Sequence, residues 1–234
     1  MIKKISFILL LIINISYCQK VLLPMDDTQN DHLKAYGLVF SILQHSNNVE
    51  WLLNFRGGSF LFDYDELFLK EAQLMGITFQ TINSADLNYI YQGIENNNMD
   101  IVLLEKAPKI AVYSPKDKLP WDDAVTLALT YAEVNYDVIF DDEVLDGELT
   151  KYDWLHLHHE DFTGQYGKFY KSFRTRDWYR KMEIDFNQIA NNHGFSSVHT
   201  LKKEIANIIK QYIFNGGFIF AMCSATDSFD IALA

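Results

Sequence analysis

Short strand-like segments alternate with segments of helical periodicity along most of the chain, and this alternation limits the fold more than any other feature. Apolar residues recur about every 3.6 positions at 33–43 and 201–212. The segments 109–113, 136–140 and 218–222 are short and rich in β-branched and aromatic residues. Such alternation favours an α/β protein with a largely parallel sheet.

The order of these segments predicts two units. A smaller N-terminal α/β unit is expected over residues 19–106. A second unit, residues 107–234, is expected to hold a doubly wound, mostly parallel sheet of the flavodoxin-like type. Residues 228–234 resemble the first turns of a helix, without a C-cap or a following strand. We therefore expect the natural protein to be longer, with this chain truncated at its C-terminus.

The N-terminus has the pattern of a secretory signal peptide. Two lysines precede an apolar run at 5–15, which is too short to span a bilayer, and small residues follow it. Residues 1–18 are predicted to be removed, so the protein is expected to be exported to the periplasm or the extracellular space. Bulky Tyr17 disfavours a lipoprotein acylated at Cys18. No later stretch is long enough for membrane insertion after cleavage.

The charge balance limits the partners. The chain has 31 acidic and 20 basic residues, for a net charge of −11. An acidic chain lacks the basic surface that nucleic acid or anionic lipid requires. A small polar molecule is the expected ligand.

Cys223 is the main candidate for chemistry. It lies between a predicted buried strand, 218–222, and a predicted helix start at Ser224. A strand-to-helix turn of this kind raises a nucleophile clear of a sheet, and it requires small residues such as Ala221 and Ala225 on either side. The backbone N–H of Ser224 would then help to stabilise an oxyanion. The alternative is a core cysteine that packs as a small apolar residue.

Histidines and acids follow another predicted strand, at the edge of the sheet where Cys223 is expected. They are His156, His158, His159, Glu160 and Asp161. His156 and His158 would point to one face and could share a divalent metal with Asp161. Alternatively, His158 or His159 could take the thiol proton while Glu160 or Asp161 orients it. In a purely structural interpretation, His156 packs among aromatic side chains.

Two nearby segments could contribute ligand contacts. The loop at 162–167 contains two glycines and could fold over a ligand, with Gln165 as a polar contact. Arg174 could hold a carboxylate through two hydrogen bonds, or it could simply be solvated.

Asp123 is expected at a helix N-terminus, where an acid complements the helix dipole. The acidic segment 141–143 is expected to be a solvated face.

The segments 120–125, 152–167 and 220–230 resemble a family of exported bacterial proteins that is labelled asparagine synthetase B. The second unit is also similar to class I glutamine amidotransferases, with Cys223 at the nucleophile's position. This resemblance implies a Cys-His-Glu triad whose His and Glu lie on a strand beyond Ala234. It also implies chemistry on carbon–nitrogen bonds.

The sequence does not predict ATP-dependent asparagine synthesis. Glutamine-dependent asparagine synthetases use an N-terminal cysteine and a Ser-Gly-Gly-x-Asp-Ser loop, whereas here Ile2 follows Met1 and that loop is not present. Two hypotheses remain open. The first is a cysteine-dependent amide hydrolase, and the second is a non-catalytic or metal-assisted binding protein that uses the His/Glu/Asp edge.

Overall fold

The computed structural model describes residues 19–115, 123–158 and 161–234. The predicted signal peptide, 1–18, lies outside this part, as do the first residues of the segment 120–125. One compact unit ends at Glu105, and a second begins at Lys106. Within the described ranges, no helix is both long and apolar enough to cross a membrane.

The first unit contains five strands and three helices. They are β1 (Lys20–Leu23), α1 (His32–Gln44), β2 (Val49–Leu53), β3 (Ser59–Asp63), α2 (Glu66–Met75), β4 (Gln80–Ile82), α3 (Ser84–Asn96) and β5 (Asp100–Leu104). The strands form one sheet in the order β4-β1-β3-β2-β5.

Every strand pair in this first sheet is antiparallel, so the expected largely parallel arrangement is wrong for this unit. The tight turn between β2 and β3 shows why. Asn54, Arg56, Gly57 and Gly58 all have positive φ and reverse the chain within a few residues. Two strands joined so closely can only pair antiparallel, because a parallel pair requires a long crossover.

The second unit contains the remaining elements. They are β6 (Ile110–Tyr113), α4 (Ala124–Tyr131), β7 (Asp137–Ile139), α5 (Asp141–Leu145), a 3₁₀ turn (Glu148–Lys151), β8 (Trp154–Leu157), α6 (Tyr170–Phe173), α7 (Asp177–Asn192), α8 (Val198–Phe214), β9 (Phe218–Ala221) and α9 (Ser224–Leu233). Their four strands form a sheet in the order β7-β6-β8-β9.

All three strand pairs of this second sheet are parallel, as the sequence predicts. Val112 pairs with His156, and His156 pairs with Phe220. Because the strands run the same way, their carboxyl ends lie along one edge. Tyr113, Leu157 and Ala221 are last in their strands along this edge, which we call the carboxyl edge.

Helices pack on the sheet because their apolar stripes match its buried face. Leu155 and Leu157 of β8 share one core with Leu201, Ile205 and Ile209 of α8. These three α8 residues recur at a spacing of four, which brings them to one side of the helix. Side chains alternate along a strand, so His156 points to the opposite face of the sheet.

Candidate functional site

Cys223 occupies a strained strand-to-helix turn. It is the N-cap of α9, and its backbone has φ 55° and ψ −135°. A residue with a side chain adopts such a conformation at a cost of about 1–3 kcal/mol, and residues held this way are concentrated at active sites. The Ala225 N–H donates to the Met222 carbonyl at 3.2 Å, which closes the turn.

The thiol of Cys223 is exposed, so the alternative of a buried core cysteine is wrong. Ala225, by contrast, is fully buried. A larger side chain at that position would clash with the core. This agrees with the prediction that the turn requires small residues on either side of Cys223. The structure therefore places a free thiol on the carboxyl edge of the parallel sheet.

His158 follows the neighbouring strand at the same edge. Leu157 is paired with Ala221, so His158 lies one residue beyond the paired strands and Cys223 lies two beyond. Neighbouring strands are about 4.8 Å apart. His158 is buried, and its backbone N–H donates to the Tyr113 carbonyl at 3.4 Å. The other two candidates, His159 and Glu160, lie outside the described residues.

His156 is a structural residue and not a metal ligand, which corrects its assignment to the metal set. It is fully buried, and its ring lies 5.7 Å from that of Phe220. Its Nδ1–H donates to the Phe220 carbonyl at 2.9 Å, and its Nε2–H donates to the Asp123 carboxylate at 2.8 Å. Both ring nitrogens therefore have partners within the protein. The contact with Phe220 agrees with the interpretation that His156 packs among aromatic side chains.

Asp123 is the partner that the sequence did not assign to this histidine. Its side chain also accepts from the Val125 N–H at 2.7 Å, which confirms the predicted helix N-terminus. Burial opposes ionisation of Asp123. The hydrogen bond and the charge of His156 outweigh that cost, and they hold the pKa of the carboxyl below its usual range.

Asp161 organises its own loop. Its carboxylate accepts from the backbone N–H of Thr163 at 2.9 Å and from the Thr163 hydroxyl at 2.6 Å. Across the described ranges, no group of three His, Cys, Asp or Glu residues is placed to hold a metal ion. The predicted set of His156, His158 and Asp161 therefore does not fit a metal, since His156 is fully engaged.

The two predicted ligand contacts differ in their surroundings. Gln165 is 1% exposed, in the loop that follows β8 (residues 161–167, the β8 loop). Arg174 is exposed, with its guanidinium 5.8 Å from the Tyr170 ring centre, and it lies in solvent as in the alternative interpretation. A role for Arg174 in holding a carboxylate stays a prediction.

A buried charged cluster at the carboxyl edge was missed. Lys202 of α8 donates to both carboxylate oxygens of Asp141, at 2.8 and 2.7 Å, and to the Tyr113 hydroxyl at 3.0 Å. The ammonium also lies 4.0 Å from the centre of the Phe140 ring. Burial lowers the pKa of Lys202 although Asp141 opposes this, and burial together with the Asp141 charge raises the pKa of Tyr113 well above its usual value.

The expectation that residues 141–143 form a solvated face is therefore wrong for Asp141, which is 1% exposed. One sequence signal could have identified the pair. Lys202 lies three and seven residues before Ile205 and Ile209, on the buried stripe of α8. A lysine on such a stripe is almost never fully buried without a partner.

A cavity of about 460 Å³ lies on the α8 and α9 side of the β8 loop. Its lining includes Asp161, Thr163, Lys202, Ser228 and Ile231. Cys223 is not part of the lining. It precedes Ser228 by five residues, or about 7.5 Å along a helix. The cavity and the thiol are therefore separate features of one edge.

The Asp123–His156 pair predicts a specific pH dependence of stability. Because the pKa of Asp123 is lower in the folded than in the unfolded state, its carboxylate stabilises the fold above about pH 4. That stabilisation is lost as the pH falls towards the folded-state pKa. We expect Asp123→Asn, which keeps an oxygen for the Val125 cap, to cost about 2 kcal/mol at pH 7.

Urea unfolding at pH 7 and at pH 3 measures this effect. The difference between wild type and Asp123→Asn should shrink at the lower pH. A difference that stays constant between the two pH values would contradict the assigned pair. Asp137→Asn, which alters an exposed acid of β7, is the control.

The Lys202–Asp141 pair predicts strong coupling between the two side chains. Lys202→Met should cost about 3–5 kcal/mol, because it leaves a buried carboxylate without its cation. The double variant Lys202→Met/Asp141→Leu should recover most of this loss. Lys203→Met, at the exposed neighbouring position, should change the free energy of unfolding by less than about 0.5 kcal/mol. Additive effects of the two single substitutions would refute the coupling.

Comparison with protein families, with curated proteins and with solved structures finds no match to this chain.

Proposed function

We propose that this protein is an exported, amidotransferase-like hydrolase in which Cys223 attacks the carbonyl carbon of an amide. The observation that carries this proposal is the backbone of Cys223, at φ 55° and ψ −135°, on a strand-to-helix turn with an exposed thiol. A strained, exposed nucleophile is the feature common to enzymes that use such a turn. If Cys223 had only a structural role, the strain would lower the stability of the fold without any benefit.

The order of the strands supports a flavodoxin-like fold for the second unit. Numbered along the chain from β6, the order β7-β6-β8-β9 is 2-1-3-4, with all neighbours parallel. This is the start of the flavodoxin-like order, in which ligands bind at the carboxyl edge where the strand order reverses. Here the reversal lies between β6 and β8, next to the strand that leads to Cys223.

The proposed reaction proceeds through a thioester. The sulfur of Cys223 bonds to the amide carbon, and the backbone N–H of Ser224, at the start of α9, stabilises the oxyanion. A histidine takes the thiol proton and transfers it to the departing amine as the C–N bond breaks. Water then hydrolyses the thioester and releases a carboxylic acid.

His158 is the described residue that best fits the role of base, because it follows the strand paired with β9. His159 and Glu160 stay candidates for the base and for its orienting acid. No step uses a metal, since His156 and Asp161 are engaged by other partners. Export remains a proposal that depends on the N-terminal sequence pattern.

Alkylation of Cys223 by iodoacetamide tests the proposal. At pH 6.5 we expect the folded protein to react at least about ten times faster than the urea-unfolded chain, because an activated site favours the thiolate. His158→Ala should reduce this advantage, whereas substitution of the exposed His199 should leave it unchanged. Labelling that is slower in the folded than in the unfolded protein would rule out an activated thiol.

The second candidate function is a non-catalytic binding protein on the same fold. The buried amide of Gln165, which has no partner within the described ranges, favours a ligand at this edge. In that case Cys223→Ser would leave ligand binding unchanged, and the thiol would react no faster than in the unfolded chain.

A further inference from the structure

The acidic balance of the whole chain conceals one basic segment. Residues 168–181, which directly follow the β8 loop, contain six basic residues and one acid, whereas the net charge of the whole chain is −11. The six are Lys168, Lys171, Arg174, Arg176, Arg180 and Lys181. All six are exposed. A surface that concentrates one sign of charge attracts ligands of the opposite sign.

Most of these cations have no acidic partner within the fold. Among the residues that the structure describes, Lys181 alone of the six forms a salt bridge, with Asp185 at 2.6 Å. Lys168 and Arg174 lie over aromatic rings instead, 5.7 and 5.8 Å from the ring centres. The described residues therefore leave most of the positive charge of the segment open to a partner outside the chain.

Aromatic side chains lie among the cations. Trp178 is 50% exposed and Tyr170 is 49% exposed. The ring centre of Trp178 lies 5.4 Å from that of Phe173 and 6.2 Å from that of Phe169. We call these four aromatic residues and the six cations the aromatic-basic patch. Exposed apolar surface with a polar rim marks sites that bind proteins or membranes.

The aromatic-basic patch is fixed to the core of the second unit. Phe169 and Phe173 are half-buried against that core, and the Phe173 N–H donates to the Phe169 carbonyl at 2.9 Å. Tyr179, next to Trp178, is buried, and its hydroxyl donates to the Tyr166 carbonyl. A surface that is already ordered loses little conformational entropy when it binds.

The geometry of the rings favours a membrane over a soluble anionic polymer. Bases of single-stranded nucleic acid stack on open aromatic faces. The rings of Phe169, Phe173 and Trp178 are inclined to one another by between 48° and 90°, so they form an apolar projection and not a flat platform. Tryptophan and tyrosine are enriched at the membrane–water interface, and nearby lysines and arginines attract anionic lipids.

We propose that the aromatic-basic patch binds the surface of a membrane that contains anionic phospholipids, with Trp178 at the level of the headgroups and the cations on the lipid phosphates. This goes against the expectation drawn from the net charge, because a net charge does not report where the charges lie. The proposal does not depend on the proposed hydrolase, since Cys223 is not part of the patch.

Co-sedimentation with lipid vesicles tests the proposal. The protein is used without residues 1–18, because the apolar run at 5–15 would bind vesicles by itself, and the remaining chain contains both described units. The probes are vesicles of phosphatidylcholine with and without phosphatidylglycerol. We expect binding at least about tenfold tighter to the anionic vesicles at low salt, and loss of this preference at about 0.5 M NaCl.

Charge reversal separates the patch from the charge of the whole protein. The patch variant carries Lys171→Glu, Arg174→Glu and Arg180→Glu, and it should bind the anionic vesicles at least about a hundredfold more weakly. The control variant changes the net charge equally at exposed lysines elsewhere, with Lys70→Glu, Lys203→Glu and Lys210→Glu. It should keep most of the affinity. An equal loss in both variants would overturn the proposal.

Truncation of Trp178 tests the aromatic contribution. Trp178→Ala should weaken binding to the anionic vesicles by about tenfold, because less apolar area enters the interface. Phe214→Ala removes another exposed aromatic ring, on α8, and should leave binding unchanged. Unchanged affinity of Trp178→Ala would contradict the placement of this ring among the headgroups and would overturn the proposal.

Two further results would also count against a membrane. One is equal binding to vesicles with and without phosphatidylglycerol, or no binding to either. The other is binding to a soluble thymidine oligonucleotide that is as tight as binding to the anionic vesicles, which would assign the patch to an anionic polymer. Neither result bears on the reactivity of Cys223, so this proposal and the hydrolase stand or fall separately.

Discussion

The hydrogen bonds of His156 hold the candidate site together. This buried side chain joins the Phe220 carbonyl on β9 to the Asp123 carboxylate at the start of α4. Within the described ranges, β9 pairs with β8 alone, so its position depends on that ladder, on this side chain and on the packing of Ile219 and Ala221 against the core. Because Cys223 follows β9 by two residues, these contacts and the turn hydrogen bond from Ala225 to Met222 together position its thiol.

The polar groups of the carboxyl edge fall into two classes. Most are satisfied by partners within the fold, namely His156 by Asp123, Lys202 by Asp141 and Tyr113, and Asp161 by Thr163. Two others differ from these. The thiol of Cys223 is exposed on a strained turn, and the amide of Gln165 is buried without a partner among the described residues. Cys223 is the proposed nucleophile, and His158, at the end of the neighbouring strand, is its proposed base.

Local features of this protein were predictable from its sequence, and long-range pairings were not. The strand before Cys223, the helix after it and the apolar stripe of α8 depend on residues a few positions apart, and all three elements were predicted. The strand was expected to be buried, however, whereas Phe218 and Phe220 are exposed. His156 and Asp123 are 33 residues apart, and Lys202 and Asp141 are 61 apart. No spacing rule connects such residues, so Asp141 was expected in solvent and His156 was left open between a metal site and a structural role. Strand direction in the first unit was missed because periodicity is the same for parallel and antiparallel strands.

The fold holds Cys223 in a strained backbone conformation, at φ 55° and ψ −135°. Urea unfolding of Cys223→Gly and of Cys223→Ala measures this strain, since the two variants differ only in the Cβ. Glycine is ordinarily about 0.5–1 kcal/mol less stable than alanine in regular structure, but it adopts positive φ without strain. We expect Cys223→Gly to be the more stable variant, by about 1–2 kcal/mol. An alanine variant that is equally or more stable would contradict it.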